Sequence, residues 1–139
     1  MKLSIKSDYG VRAVFGLSRH YGTGKAFRVE KLAREQNIPA NYLVQILLEL
    51  KNQGIVTSQR GKDGGYLLAK SPSEVSFGDV LRCIHGAIFE APAMNDSNVH
   101  QAVKNSWIKL QKQLDETANE MTFDKLIAVA DNDQEMYYI

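Results

Sequence analysis

One cysteine, three prolines and one tryptophan stand in a chain of 139 residues. The single thiol, Cys83, excludes an internal disulfide framework and a cysteine-only metal cage, and it suits a reducing cytosol. Apolar residues nowhere run together for the roughly 18 positions a membrane helix needs, and the opening MKLSIKSDYG lacks the apolar stretch of a signal peptide. A cytoplasmic protein without membrane contact is expected. No Ser/His/Asp set, phosphate loop or paired-carboxylate motif is evident, and Asp63 lies among glycines where a turn accounts for it, so no enzyme is expected.

An excess of one charge is also missing, since the formal net charge is only +1. That average conceals a division. Residues 1–70 carry twelve Lys or Arg against five Asp or Glu, a net of +7, whereas the remainder nets −6. A basic half suited to a polyanion is joined to an acidic half suited to a protein partner. With 44% hydrophobic residues, the chain can bury a core of one ordinary domain.

Apolar spacing predicts a helix from Ser7 to Tyr21, capped by Ser7 with Asp8 and ended by Gly22 and Gly24. A short helix, KLAREQ, follows and stops before Asn37-Ile38-Pro39, because proline keeps its predecessor out of helical geometry. A second helix begins near Ala40 and runs through Leu43, Ile46, Leu47 and Leu50 to Gly54. Short helix, tight turn and longer helix are the parts of a helix-turn-helix, although a plain helical hairpin has the same outline. Ile55 to Thr57 and Tyr66 to Leu68 favour two strands joined by Arg60-Gly61-Lys62-Asp63-Gly64-Gly65. Placed here, a basic glycine-rich hairpin is the wing of a winged helix, and its cations suit a phosphate or a narrow minor groove.

Beyond Pro72, a short helix capped by Ser76 ends at Gly86, and residues 87–98 read as a loop. A long helix from about Val99 then sets Val103, Trp107, Leu110, Leu114, Ala118 and Met121 in one stripe. The stripe suits a partner helix or the chain's own domain. The first is favoured because so small a winged domain has little core left to cover it. A short helix from Lys125 to Ala130 and a mobile acidic run, Asp131 to Glu135, lead to Tyr137, Tyr138 and Ile139. The expected fold is mainly α with a small β-hairpin wing: DNA-binding domain 1–86, loop 87–98, and dimerisation helix with tail 99–139.

Lys6-Ser7-Asp8-Tyr9-Gly10, Ile38 to Gln45, Gly54-Ile55-Val56, Arg60-Gly61 with Gly64 to Leu68, and Gly78-Asp79-Val80-Leu81 occur in this order. Together they resemble the Rrf-two family of bacterial winged-helix regulators, and within it the cluster-free CymR-like branch. The likeness spans most of the chain. It implies a homodimeric transcriptional regulator, a repressor, bound to double-stranded operator DNA, with the long helix crossing its twin through Val103, Trp107, Leu110, Leu114 and Met121. It places Asn41, Tyr42, Val44 and Gln45 at the exposed start of the recognition helix, and Arg60, with Lys62, on the wing. Gln can bond bidentately to an adenine edge, while Ser7 and Tyr9 can position phosphates. Two departures stand out. Val44 replaces a base-reading Glu of IscR-type members and can offer only apolar contact, as to a thymine methyl. Glu49 replaces a common basic residue, where it either faces DNA and repels phosphate or faces solvent or Lys51.

Many members of the family hold an iron-sulfur cluster with three cysteines in the loop before the long helix. Residues 87–98 contain none, and Cys83, His85, His100 and the distant His20 are the only soft donors. No metal or cofactor is therefore expected. Cys83 reads as a packed core thiol, with a redox switch as the alternative, and His85 and His100 as surface or capping residues. The cluster-free branch is controlled by complex formation with cysteine synthase, and the ending Tyr137-Tyr138-Ile139 is similar to that of the branch. A terminal carboxylate held by backbone N–H groups, with apolar side chains in a pocket, makes a workable docking peptide. The same residues could instead fold back on the core. A sensor of redox state or a small molecule through Cys83 or the 87–98 loop, and a protein-interaction module without DNA, are the other readings.

Overall fold

The computed structural model describes the backbone of residues 2–138 and the side chains of residues 2–133. Helix α1 (Ile5–Arg19) starts two residues earlier than its apolar spacing predicts. Its cap is Ser4, whose hydroxyl accepts from the Ser7 backbone N–H at 3.2 Å, not Ser7 with Asp8. Ala13, Val14 and Leu17 are its buried apolar residues. Around α1 pack α2 (Val29–Gln36), α3 (Ala40–Asn52), α4 (Phe77–Ile84) and α6 (Phe123–Tyr138). α2 closes on Asn37 in the left-handed region (φ 55°), and Ile38 N–H bonds the Ala33 carbonyl at 2.9 Å. Such a left-handed closure turns the chain sharply and lets α3 start at once. Pro39 stands just outside α3, where its missing N–H costs nothing.

Strands β1 (Val56–Gln59) and β2 (Gly65–Leu68) pair antiparallel, with Val56 opposite Leu68 and Gln59 opposite Gly65. The hairpin is fastened to the body by a partner 39 residues before Tyr66. Phe27 N–H donates to the Tyr66 carbonyl at 2.7 Å, and Tyr66 N–H returns a bond to the Phe27 carbonyl at 2.9 Å. This contact dictates Gly65. Its φ is +152°, and a Cβ there would stand 2.3 Å from the Phe27 carbonyl oxygen. Phe27 itself is held by the His20 ring stacked at 4.2 Å and the Lys31 ammonium at 5.2 Å.

α4 opens with a capping box. The Ser76 hydroxyl accepts from Asp79 N–H at 3.1 Å, and the Asp79 carboxylate accepts from Ser76 N–H at 3.0 Å. After the 87–98 segment, which contains a 3₁₀ turn (Pro92–Asn95), α5 (Gln101–Glu120) begins. His100 caps it by accepting from Ala102 N–H on Nδ1 at 3.0 Å. Among the residues of α5 only Ala118 is buried.

The C-terminal region differs most from its sequence reading. α6 is one continuous helix from Phe123 to Tyr138, where a short helix and a mobile acidic run are expected. Phe77 N–H bonds the Met121 carbonyl at 2.9 Å and Phe123 N–H bonds the Val75 carbonyl at 3.1 Å, so the chain reverses beside the start of α4. Phe123, fully buried, stacks on Phe77 at 5.5 Å and belongs to the same core as Val14, Leu17 and Leu50. Long-range packing thus fixes where α6 begins, a position the sequence periodicity does not mark. No described helix is long and apolar enough to cross a membrane.

Candidate nucleic-acid interface

α3 is built with two unlike faces. Leu43, Ile46, Leu47 and Leu50 are fully buried against α1 and its neighbours. Asn41, Tyr42, Val44, Gln45 and Leu48 are exposed. At about 100° per residue, Asn41, Val44, Gln45 and Leu48 share the outer face, with Tyr42 at its edge toward α1. The Tyr42 ring meets the half-buried Tyr9 edge-on at 5.9 Å, and the Arg12 guanidinium lies 5.3 Å from the Tyr9 ring centre. Arg12 also pairs with Asp8 at 2.6 Å and donates to the Asn37 carbonyl at 3.4 Å, bracing the turn that aims α3. Sequence reading overlooked Arg12 and Leu48. Leu48 was detectable as the next i+4 position after Val44.

Ser7 does not reach this surface. It is fully buried, and its hydroxyl lies 3.0 Å from that of Ser4. It closes the first turn of α1, so its expected place among phosphate contacts is withdrawn. Glu49 does not pair with Lys51. It pairs with Lys6 of α1, while Lys51 donates to the Ser58 hydroxyl of β1 at 2.8 Å. These two contacts join α3 to α1 on one side and to the wing on the other.

Arg60 and Lys62 are exposed in the hairpin turn. The Lys62 carbonyl accepts from the Arg28 guanidinium, which adds a second tie between the wing and the segment before α2. Thirty-four residues separate this pair, and nothing local in the sequence announces it. The exposed half of α3 and the wing tip therefore project from one braced body. Amide and apolar groups stand on the helix and cations on the hairpin, which is what base-edge reading and groove contact require.

A second exposed surface runs along α5. Val103 and Leu110 are 46% and 42% exposed, and Met121, at the end of α5, is 42% exposed. Leu114 is half-buried. Trp107 is partly occupied by its own chain, its ring lying 5.7 Å from that of Phe89. Gln111 donates to the Phe89 carbonyl at 2.8 Å, so packing and one hydrogen bond hold the 87–98 segment against α5.

The soft donors do not form a cluster site. Cys83 is half-buried, and its thiol donates to the Glu49 carbonyl at 3.5 Å. Burial first, then the Glu49 carboxylate, raise its pKa above the ordinary thiol value, with Lys6 opposing. His85 closes α4 and His100 caps α5. Among the described residues, no three His, Cys, Asp or Glu side chains converge as metal ligands. This donor set does not fit an iron-sulfur cluster. Tyr137, Tyr138 and Ile139, expected to bind a partner, lie outside the described side chains.

Comparison with known proteins agrees with this geometry. The sequence model of the family described as "Rrf2: Iron-dependent Transcriptional regulator" matches residues 3–129. The HTH-type transcriptional regulator CymR of Bacillus subtilis is 31% identical over 137 residues, covering 99% of this chain and 97% of that one. Among solved structures, that of T. potens IscR superposes with a TM-score of 0.81 at 30% identity, over 99% of this chain and 97% of the other. That of B. subtilis CymR also gives 0.81, at 27% identity over 93% and 98%. The chain belongs to the Rrf2 family of winged-helix, DNA-binding transcriptional regulators.

Proposed function

We propose that this regulator works in the cytoplasm as a homodimeric repressor of a two-half-site operator, with the α5 stripe as the dimer contact. The observation that carries the reading is the pair of exposed surfaces: a mixed amide and apolar face on α3 beside a cationic wing, and an apolar stripe on α5. Each copy lays α3 in a major groove and reaches the flanking minor groove with Arg60. The half-sites then fall about one helical turn, roughly 34–36 Å, or a multiple of it apart. Tyr9 and Lys62 position phosphates, and Asn41, Tyr42 and Gln45 address base edges.

Two substitutions separate the roles. Arg60→Ala is expected to weaken binding to a duplex enriched by this protein from a random library by roughly 1–3 kcal/mol per half-site. Gln45→Ala is expected to relax preference at one base pair and leave binding to unrelated DNA unchanged. Titrations at physiological salt measure both. Unchanged affinity in Arg60→Ala removes the wing from the interface, and equal loss on random DNA in Gln45→Ala removes base reading from Gln45.

The signal we assign to this regulator is cysteine metabolism, through a complex with cysteine synthase. The full-length likeness to CymR, the global cysteine regulator of B. subtilis, supports it, as does the Tyr-Tyr-Ile ending. Because the backbone of α6 is helical to Tyr138, the docking peptide is the end of a helix that unwinds or enters the pocket end-on. Purified cysteine synthase should bind the full chain and lose the chain that lacks Ile139. Absence of binding by either chain ends this assignment and returns the search for a signal to Cys83 and residues 87–98.

A further inference from the structure

Val44 and Leu48 are 41% and 47% exposed on the outer face of a helix whose other face is fully buried. Spaced i, i+4, their side chains form one apolar ridge. Asn41 and Gln45 stand on the same face. Neither apolar residue is needed to seat α3, because Leu43, Ile46, Leu47 and Leu50 already fill the core side. An apolar ridge of this kind calls for an apolar occupant, and the flanks say which. The basic half of the chain carries +7, and the wing, tied to α3 through Lys51 and Ser58, presents the exposed Arg60 and Lys62 beside it. A polyanion fits these flanks, and the one apolar group it displays in the major groove is the thymine C5 methyl.

We infer that Val44 and Leu48 together read thymine methyl groups, making Leu48 a specificity-determining residue of the operator contact. The inference rests on the placement of α3 in the major groove. Gln45, one residue from Val44, can take the adenine edge of the same A·T step while the ridge covers its methyl, so the two contacts select one base pair from both strands. Desolvating a methyl contributes on the order of a single buried CH₂, which corresponds to roughly a threefold to tenfold change in affinity.

The test uses the full chain and a duplex that it enriches from a random-sequence library, resynthesised with each thymine replaced in turn by deoxyuridine, which removes only the methyl. Wild-type binding should fall about threefold to tenfold at one or two positions in each half-site. Leu48→Ala should bind the thymine and uracil forms alike at one of these positions, and Val44→Ala at another. Both residues are exposed, so thermal midpoints should match the wild type. Tolerance of uracil at every position, with specific binding intact, overturns methyl reading and leaves the α3 placement standing. Equal loss on both duplexes in Leu48→Ala also overturns it, as does a change of oligomeric state in that variant, which would put the ridge in a protein contact. Failure to enrich any duplex overturns the α3 placement and this inference together.

Discussion

A chain carrying Val103→Asp and Leu110→Asp is expected to sediment as a monomer and to bind an enriched two-half-site duplex about 10²–10⁴ times more weakly than the wild type. Both side chains are exposed on α5, so the substitutions cost little in an isolated copy. In a dimer they would bring four carboxylates into an apolar contact, where an unpaired charge is expensive to desolvate. The loss in DNA binding arises without touching α3 or the wing. Once one half-site is held, the second recognition helix binds as if at high local concentration, and a monomer forfeits that advantage. Binding to a single half-site should be close to unchanged, which distinguishes lost dimerisation from a damaged interface. A variant that remains dimeric at micromolar concentration moves the dimer contact off this stripe.

Phe123→Ala is expected to lower stability by about 3–5 kcal/mol, as truncation of a buried aromatic does. Stability of an ordinary domain totals roughly 5–15 kcal/mol, so this is a large share from a residue far outside the winged-helix segment. Phe123 has no exposed surface and stacks on Phe77, and its backbone N–H is bonded to Val75 at the edge of the wing domain. Truncation removes the side chain that fastens the start of α6 to the core under α1 and α4. Denaturant melts at fixed protein concentration measure the effect, since the proposed dimer would make stability depend on concentration. A loss below about 1 kcal/mol would show that α6 packs against the core without stabilising it.

The two predictions differ in how far the sequence anticipates them. The α5 stripe is legible because residues three and four apart fall on one helix face whatever surrounds them. The outer face of α3, the glycine-rich turn between β1 and β2, and the Ser76 cap of α4 are legible for the same reason: each is written within a few residues. Phe123 in the core is not. From the sequence, Phe123 is only a residue just ahead of the short helix expected from Lys125 to Ala130, and its burial follows from the chain reversing so that Val75 and Met121 pair with neighbours of the other segment.

The candidate interface divides along the same line. Asn41, Tyr42, Val44 and Gln45 lie on the exposed side of α3, and Arg60 and Lys62 on the hairpin, where local period and turn chemistry set them. Ser7 was misread because its role depends on Ser4 and on what covers α1. Glu49 took Lys6 as its partner, 43 residues away, and Arg28 took the Lys62 carbonyl. Charge and hydrogen-bonding capacity tell what a side chain can pair with, but which partner arrives depends on how distant segments pack. By itself, then, the sequence determined α1 to α5, the wing, the exposed face of α3 and the segregation of charge, all products of short-range periodicity and composition. Only the tertiary structure decided the return of α6 through Phe123, the clamps on the wing at Phe27 and Arg28, and the neutralisation of Glu49. Those contacts join residues tens of positions apart, and the free energy that selects them comes from burial shared by the whole core.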